Sequence, residues 1–188
     1  MDSQSRWDSF YSSAEREQFL HLTDAQVDEI LKQFPSAHSA LDIGCGEGQL
    51  LVQLEKRNFN TIGIDVSPVA LKEAHRYVTK GKLIEGDFES MSFQADQTFD
   101  LVFLKFVIAF IKNKVNLFRK IDSLLNEKGG LILLTPVISG TKTTEIIEDT
   151  FVEQKVLDEF LPRYFKLSKE TVLYSEDNKR LSLYVCKK

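Results

Sequence analysis

The chain has 188 residues, of which 43% are hydrophobic and 28% charged, and this length suits one domain with a single sizeable core. Its formal net charge of −4 does not favour a nucleic-acid partner, because binding phosphates requires a positive field. Two separated cysteines predict neither zinc nor a disulfide framework. The polar start and the lack of a long apolar run predict a cytoplasmic protein without a membrane segment.

The sequence of residues 1–37 predicts a helical cap. Residues 6–22 form a polar stretch with several aromatic side chains, for which we expect a helix. Thr23 and Asp24 then provide a helix start, and Pro35 marks its end. Apolar residues between them recur at helical spacing at Val27, Ile30, Leu31 and Phe34.

From residue 38 onward, strands and helices alternate. The predicted strands cover 39–43, 60–66, 82–87, the beginning of 99–110, and 130–136. Helical patterns follow the first, second and fourth strands, and Ser67 with Pro68 provides an N-cap and first-turn proline for one of them. The alternation predicts an α/β fold with a doubly wound, mostly parallel sheet.

The last 50 residues depart from this alternation. A helix is expected to end near 160–162, and two strands, 164–175 and 179–188, are separated by "EDN", a plausible hairpin turn. No interdomain linker is evident. We therefore predict one domain over 1–188, with a core from 38 to 188.

The most informative stretch is "ALDIGCGEGQLL", residues 40–51, where three alternating glycines join a predicted strand to a predicted helix. Asp65 stands at the tail of the next strand, about 20 residues on, where a carboxylate can accept hydrogen bonds from ribose hydroxyls. This pattern predicts a nucleotide-type cofactor. Asp65 by itself does not distinguish a nicotinamide dinucleotide from other nucleosides.

"LDIGCGEGQLL" resembles the first motif of the class I S-adenosylmethionine-dependent methyltransferases. "GIDVSP", "EGDFES", "FDLVFLKFVIAF" and "KGGLILLTP" resemble the segments that follow in the same family. The resemblance covers roughly residues 38–188. It implies a Rossmann-like sheet of seven strands with an antiparallel C-terminal strand, and S-adenosyl-L-methionine as the cofactor.

The resemblance also implies roles for individual residues. Asp42 would lie near the amino-acid end of the cofactor, Asp65 at the ribose, and Asp87 at the adenine amino group with Phe88 near the ring. The complete set of implied cofactor-binding residues is Tyr11, Asp42, Gly44, Cys45, Gly46, Gly48, Asp65, Val66, Asp87, Phe88 and Leu104.

Residues facing the methyl acceptor are expected after the fourth strand, where the chain has Leu104, Lys105 and Phe106. The Asn-Pro-Pro-Tyr type of motif, used by relatives that methylate amide or adenine nitrogens, is absent. Lys105 and Phe106, with Trp7 from a leading segment that would act as a lid, are the candidate substrate residues. No catalytic residue is assigned, since the three histidines are scattered.

Several alternatives remain open. Asp42, Asp65 and Asp87 could serve as caps or turn residues, and Lys105 could extend its charge to solvent from a strand end. Phe88 and Cys45 could be packing residues. We expect a small-molecule acceptor. The alternatives are a methyltransferase for RNA or protein, a nicotinamide-dependent oxidoreductase, and a non-catalytic S-adenosylmethionine-binding module.

Overall fold

A computed structural model describes residues 3–13, 20–94, 96–140 and 150–188 of the protein, and the chain divides into two units, 1–94 and 95–188. The single domain expected from the sequence stays a prediction. Of the helix expected over 6–22, residues 14–19 lie outside the described residues, and the prediction is wrong for residues 12–13 and 20–22, which are not helical.

The first unit begins with two short helices. Helix α1 spans Ser3–Tyr11, and α2 spans Asp24–Leu31. A capping box starts α2: the Thr23 hydroxyl accepts from the Gln26 N–H, and the Gln26 side chain accepts from the Thr23 N–H at 2.8 Å. These bonds satisfy N–H groups that a helix start leaves unpaired. The predicted start of this helix is therefore confirmed.

Three parallel strands form the sheet of the first unit in the order β3-β2-β1. They are β1 (Ser39–Ile43), β2 (Asn60–Asp65) and β3 (Lys82–Glu85). Helix α3 (Gln49–Glu55) follows β1, and α4 (Pro68–Ala74) follows β2. Because parallel strands end at the same edge, the segments after β1, β2 and β3 lie side by side there.

A buried carboxylate holds the loop that precedes β3. Glu55 ends α3, and its two carboxylate oxygens accept from the backbone N–H groups of Thr79, Lys80 and Gly81. Burial by itself would raise the pKa of the Glu55 carboxyl, but these hydrogen bonds outweigh it and lower the pKa below its ordinary value of 4.5. Glu55 therefore stabilises this loop as a carboxylate.

The second unit contains five strands and two α-helices in its described residues. They are β4 (Phe99–Lys105), α5 (Lys114–Leu124), β5 (Leu125–Ile138), β6 (Val152–Glu153), α6 (Gln154–Tyr164), β7 (Lys166–Glu176) and β8 (Lys179–Lys187). The strand order is β4-β5-β8-β7, and the two-residue β6 pairs with the end of β5. Strand β8 runs antiparallel to both β5 and β7, as expected for the hairpin.

Three features of this unit differ from the sequence-based expectation. Strand β5 begins at Leu125 instead of residue 130, and the pairing with β4 shifts between Phe99 and Leu101. Helix α6 continues through Pro162, because the Phe165 N–H still donates to the Leu161 carbonyl. Strand β6 was not predicted, so the described residues contain eight strands rather than seven.

Strand β7 is irregular at two points. Its register with β8 shifts between Leu167 and Lys169 and again between Val172 and Tyr174. Leu167, Val172 and Tyr174 are exposed, and no strand of the described residues pairs with its other edge.

We expect Glu55→Gln to lower the free energy of unfolding at pH 7 by about 1–3 kcal/mol, because an amide nitrogen cannot accept the Thr79 N–H. The lowered pKa means that the carboxylate stabilises the fold above pH 4.5, and this contribution is lost as the pH falls through the folded-state pKa. Urea unfolding at pH 7 and pH 3 measures both effects.

The matched control is Glu127→Gln, at an exposed position of β5. It should leave stability nearly unchanged at both pH values. An equal loss of unfolding free energy in the two variants would contradict the role given to Glu55.

Candidate cofactor site

The glycine turn lies directly after β1. Gly44, Gly46 and Gly48 all have left-handed backbone, with φ of 70°, 55° and 79°. The N–H groups of Gly44 and Cys45 both donate to the Ile64 carbonyl, at 2.8 and 3.0 Å. The turn is thereby tied to the end of β2.

Two of these glycines are also required for close packing. A Cβ atom on Gly46 would lie 2.5 Å from the Tyr11 hydroxyl oxygen. A Cβ atom on Gly48 would lie 2.7 Å from a Val78 methyl carbon, next to Ala74 of α4. A side chain at either position would therefore collide with a neighbour as well as strain the backbone.

Asp65 connects the turn to the start of α4. Its side chain is only 6% exposed. One carboxylate oxygen accepts from the Gly46 N–H at 2.8 Å, and the other accepts from the Ser67 N–H at 2.9 Å. A carboxylate has about four acceptor sites, so Asp65 has the chemistry that binding ribose hydroxyls requires.

Tyr11 lies against the turn from α1, in an acidic environment. Burial, followed by the negative charge of Asp65, raises the pKa of the Tyr11 phenol far above its ordinary value. Cys45, Glu47 and Asp42 raise it further. Tyr11 therefore stays protonated at neutral pH, with a hydroxyl that can donate.

The same face of α1 contributes a residue that the sequence analysis missed. The Asp8 carboxylate accepts a short hydrogen bond from the Ser67 hydroxyl, and Ser67 is also the N-cap of α4. Asp8 and Tyr11 are three residues apart, a spacing that places both side chains on one side of a helix. The spacing of Asp8 and Tyr11 could have been recognised in the sequence. Nothing near Asp8 in the sequence, however, indicated Ser67 as its hydrogen-bond partner. Glu47, inside the turn, was also missed.

Trp7 is half-buried and packs beside Phe10 and Tyr11, with ring centroids 5.7 and 6.3 Å away. Asp42 is fully buried on β1, and Val66 is half-buried directly after β2. These residues, which the sequence analysis named, belong to the same unit as the glycine turn.

The residues after β3 have local partners of their own. Asp87 is exposed, and its side chain accepts from the Glu89 N–H at 2.9 Å, as in an Asx turn. Phe88 is buried and packs on Phe93 with centroids 5.7 Å apart. Cys45 lies in an apolar cluster with Leu51 and other side chains of α3 and α4. The cofactor roles of Asp87, Phe88 and Cys45 therefore stay predictions.

The carboxyl end of β4, in the second unit, is where the implied cofactor residue Leu104 and the candidate substrate residues Lys105 and Phe106 lie. Leu104 is fully buried, while Lys105 and Phe106 are half-buried. Phe106 has left-handed backbone with φ of 59°, and its N–H donates to the Leu134 carbonyl at 2.8 Å. A bulky residue with this φ is strained, and such strain often occurs at functional sites.

Within the described residues, no group of three or more His, Cys, Asp or Glu side chains could hold a metal ion. None of the described helices is long and apolar enough to cross a membrane.

The site fits the predicted cofactor in two respects. Asp65, at the end of β2, provides buried acceptor oxygens of the kind that bind a ribose. Asp42, Glu47 and Asp65 also make the surroundings of Tyr11 negative, which suits a ligand with a positive charge.

Comparison with known proteins agrees with this geometry. Residues 35–179 match the family model described as a methyltransferase domain, so the chain belongs to that family. The class predicted from the sequence motifs, the class I S-adenosylmethionine-dependent methyltransferases, is thereby confirmed.

Two curated relatives differ in the kind of substrate that their names state. A release factor glutamine methyltransferase from Geobacter sulfurreducens is 36% identical over 89 residues, which are 44% of this chain and 30% of the relative. A trans-aconitate 2-methyltransferase from Shigella flexneri is 30% identical over 112 residues, which are 57% of this chain and 44% of the relative. The chain thus matches less than half the length of either relative.

Similarity to a solved structure shows the fold. The N-terminal domain of EvdMO1, solved with S-adenosylhomocysteine bound, superposes with a TM-score of 0.73 at 14% identity. The match covers 93% of this chain and 84% of that one. The predicted Rossmann-like, mostly parallel fold is therefore confirmed.

We expect Gly46→Ala to destabilise the protein through both backbone strain, about 1–2 kcal/mol, and collision with the Tyr11 hydroxyl. On a Tyr11→Phe background the hydroxyl is gone and the nearest ring atom is 3.3 Å away, so the same change should cost less. Urea unfolding of the four proteins gives the coupling energy, expected at about 0.5–1 kcal/mol.

Gly140→Ala provides the matched control, because Gly140 also has positive φ but no atom within 4 Å of an added Cβ. Its cost should not depend on Tyr11. If Gly46→Ala lowers the free energy of unfolding equally in wild type and in Tyr11→Phe, the Tyr11 hydroxyl does not pack on the turn.

Proposed function

We propose that this protein binds S-adenosyl-L-methionine at the glycine turn and transfers its methyl group to a small, polar or anionic acceptor. The observation that carries the proposal is the Asp65 carboxylate, buried beside the turn and bonded to the Gly46 N–H. A cytoplasmic location, predicted from composition, is part of the same proposal.

The residues of the first unit would hold the cofactor by distinct contacts. Asp65 accepts from the ribose hydroxyls, and the backbone of the turn lies against the amino-acid end close to Asp42. Asp87 accepts from the adenine amino group. When bound, the cofactor supplies an electrophilic methyl group for an in-line displacement.

The charges around the turn favour this cofactor over a dinucleotide. Asp42 is fully buried on β1, and Glu47 lies within the turn itself. A pyrophosphate here would be repelled by carboxylates, whereas the ammonium and sulfonium of S-adenosylmethionine would be attracted. This argument disfavours a nicotinamide-dependent oxidoreductase.

Two observations favour a small acceptor. The chain is acidic overall, and one of its curated relatives is named for methyl transfer to trans-aconitate, a small anion. The relative named for release factor glutamine supports a protein acceptor instead. The sequence after β4 reads Leu104, Lys105, Phe106 and therefore lacks the Asn-Pro-Pro-Tyr type of motif associated with amide nitrogens.

The chain's contribution to the reaction would be mainly positioning. Holding two reactants in line removes much of the entropic barrier without a reacting side chain. Tyr11 and Trp7 on α1 would exclude water, and Lys105 would attract a negatively charged acceptor. No residue is assigned as a general base.

The first test is thermal unfolding with S-adenosylhomocysteine at about a hundredfold excess over its dissociation constant. Binding then adds about 2.7 kcal/mol, which raises Tm by about 5–10 °C for a chain of this size. Asp65→Asn should lose most of this shift, because the amide nitrogen cannot accept from a hydroxyl.

Asp177→Asn makes the same chemical change in the exposed β7–β8 turn, where Asn tolerates the left-handed φ of 49°, and it should keep the shift. NADH should produce no shift with any variant. A shift with NADH and none with S-adenosylhomocysteine would overturn the proposed cofactor.

The second test concerns the acceptor. Labelled S-adenosylmethionine is incubated with pools of small carboxylic acids, with tRNA and with a protein extract, and label is expected in the small molecules. For the acceptor found, Lys105→Ala should raise KM about tenfold through the lost charge while leaving affinity for S-adenosylhomocysteine unchanged.

Lys112→Ala, which removes an exposed lysine of the same unit, serves as the matched control and should leave KM unchanged. Label in RNA or protein alone would contradict a small acceptor. An unchanged KM in Lys105→Ala would remove Lys105 from the acceptor site.

A further inference from the structure

Helix α1 has few interactions of its own that would fix its position. It is only nine residues long and contains three serines, and helices this short are marginal in water without tertiary contacts. Ser5 and Ser9 are exposed, while Trp7, Asp8 and Tyr11 are half-buried. The position of α1 therefore depends on what these half-buried side chains contact.

Asp8 makes a specific contact with α4. Its carboxylate accepts from the Ser67 hydroxyl, 59 residues away in the chain, and Ser67 is fully buried. Hydrogen bonds to an ionised acceptor are about twice as strong as neutral ones. Because Ser67 is fully buried, this short hydrogen bond fixes the position of α1 at Asp8.

The hydroxyl and the backbone N–H of Ser67 together make three hydrogen bonds. Its hydroxyl donates to Asp8 and accepts from the Ala70 N–H, and its backbone N–H donates to Asp65. The other oxygen of Asp65 accepts from the Gly46 N–H. The Tyr11 hydroxyl packs on the side of Gly46 where a Cβ atom would be. These contacts connect Asp8 of α1, through Ser67, Asp65 and Gly46, to Tyr11 of the same helix.

We propose that Asp8 and Ser67 form a latch that holds α1 on the glycine turn and thereby slows cofactor release. Asp8 is a positioning residue: it acts through Ser67 and places Tyr11 over Gly46. The retention of cofactor rests on the proposed function, whereas the anchoring of α1 does not.

Trp7 allows the latch to be tested without cofactor. It is the only tryptophan of the sequence and precedes Asp8 directly on α1, so its fluorescence reports on this helix. Asp8→Ala should increase acrylamide quenching of Trp7 in the ligand-free protein by about twofold, because a released helix exposes the indole. Asp8→Asn keeps an acceptor oxygen and should stay close to wild type.

The matched control is Ser9→Ala, which removes a hydroxyl that bonds only locally, to the Ser5 carbonyl, on the exposed side of α1. It should leave quenching unchanged. Ser67→Ala removes the latch from its other end but also the cap of α4. Adding Asp8→Ala to Ser67→Ala should therefore increase quenching no further.

Stopped-flow measurement then gives the dissociation rate constant of S-adenosylhomocysteine, which should rise about tenfold in Asp8→Ala and not in Ser9→Ala. Unchanged quenching in a folded Asp8→Ala protein overturns the latch. Increased quenching with an unchanged dissociation rate overturns its role in retention. Failure of wild type to bind S-adenosylhomocysteine would refute the proposed function, and the quenching result would still decide the latch.

Discussion

The first unit depends on the two hydrogen bonds that the buried Asp65 side chain accepts. Burying a carboxylate without donors costs several kcal/mol, and the Gly46 and Ser67 N–H groups supply the donors here. Each donor imposes a condition on its own segment: Gly46 must adopt a left-handed backbone, and Ser67 must begin α4. One side chain thus ties β2, the glycine turn and a helix together, and the same side chain is the proposed ribose acceptor.

Most of the fold could be predicted from the sequence because its signals are local. Strand β1 has the predicted bounds, and Thr23 and Ser67 act as the N-caps that their positions indicate. The misses arise from contacts between distant residues. Strand β5 extends back to Leu125 because Leu125 pairs with Phe99 of β4 before the register shifts to Leu101 and Gly130. The Asn126 side chain also donates to Asp100. No local pattern in "NEKGG" carries that information.

Some residues of the candidate site could also be predicted from local sequence patterns, and others could not. Gly46 and Asp65 could be found because a turn between a strand and a helix, followed by an acidic residue after the next strand, is a pattern in sequence. The bond from Ser67 to Asp8 could not be found, since it joins residues 59 positions apart that are individually ordinary. Asp87 carries an Asx turn as well as its proposed role, so its motif alone could not separate structural from binding functions.

The irregular pairing of β7 with β8 has a consequence for the behaviour of the protein at high concentration. An exposed strand edge with apolar side chains such as Leu167 and Val172 would ordinarily recruit another strand and start aggregation. The two register shifts bend the strand, and the exposed Lys166 and Lys169 place charge along it. We therefore expect this edge to pair poorly with a second regular strand over its full length, which would help to keep separate molecules apart.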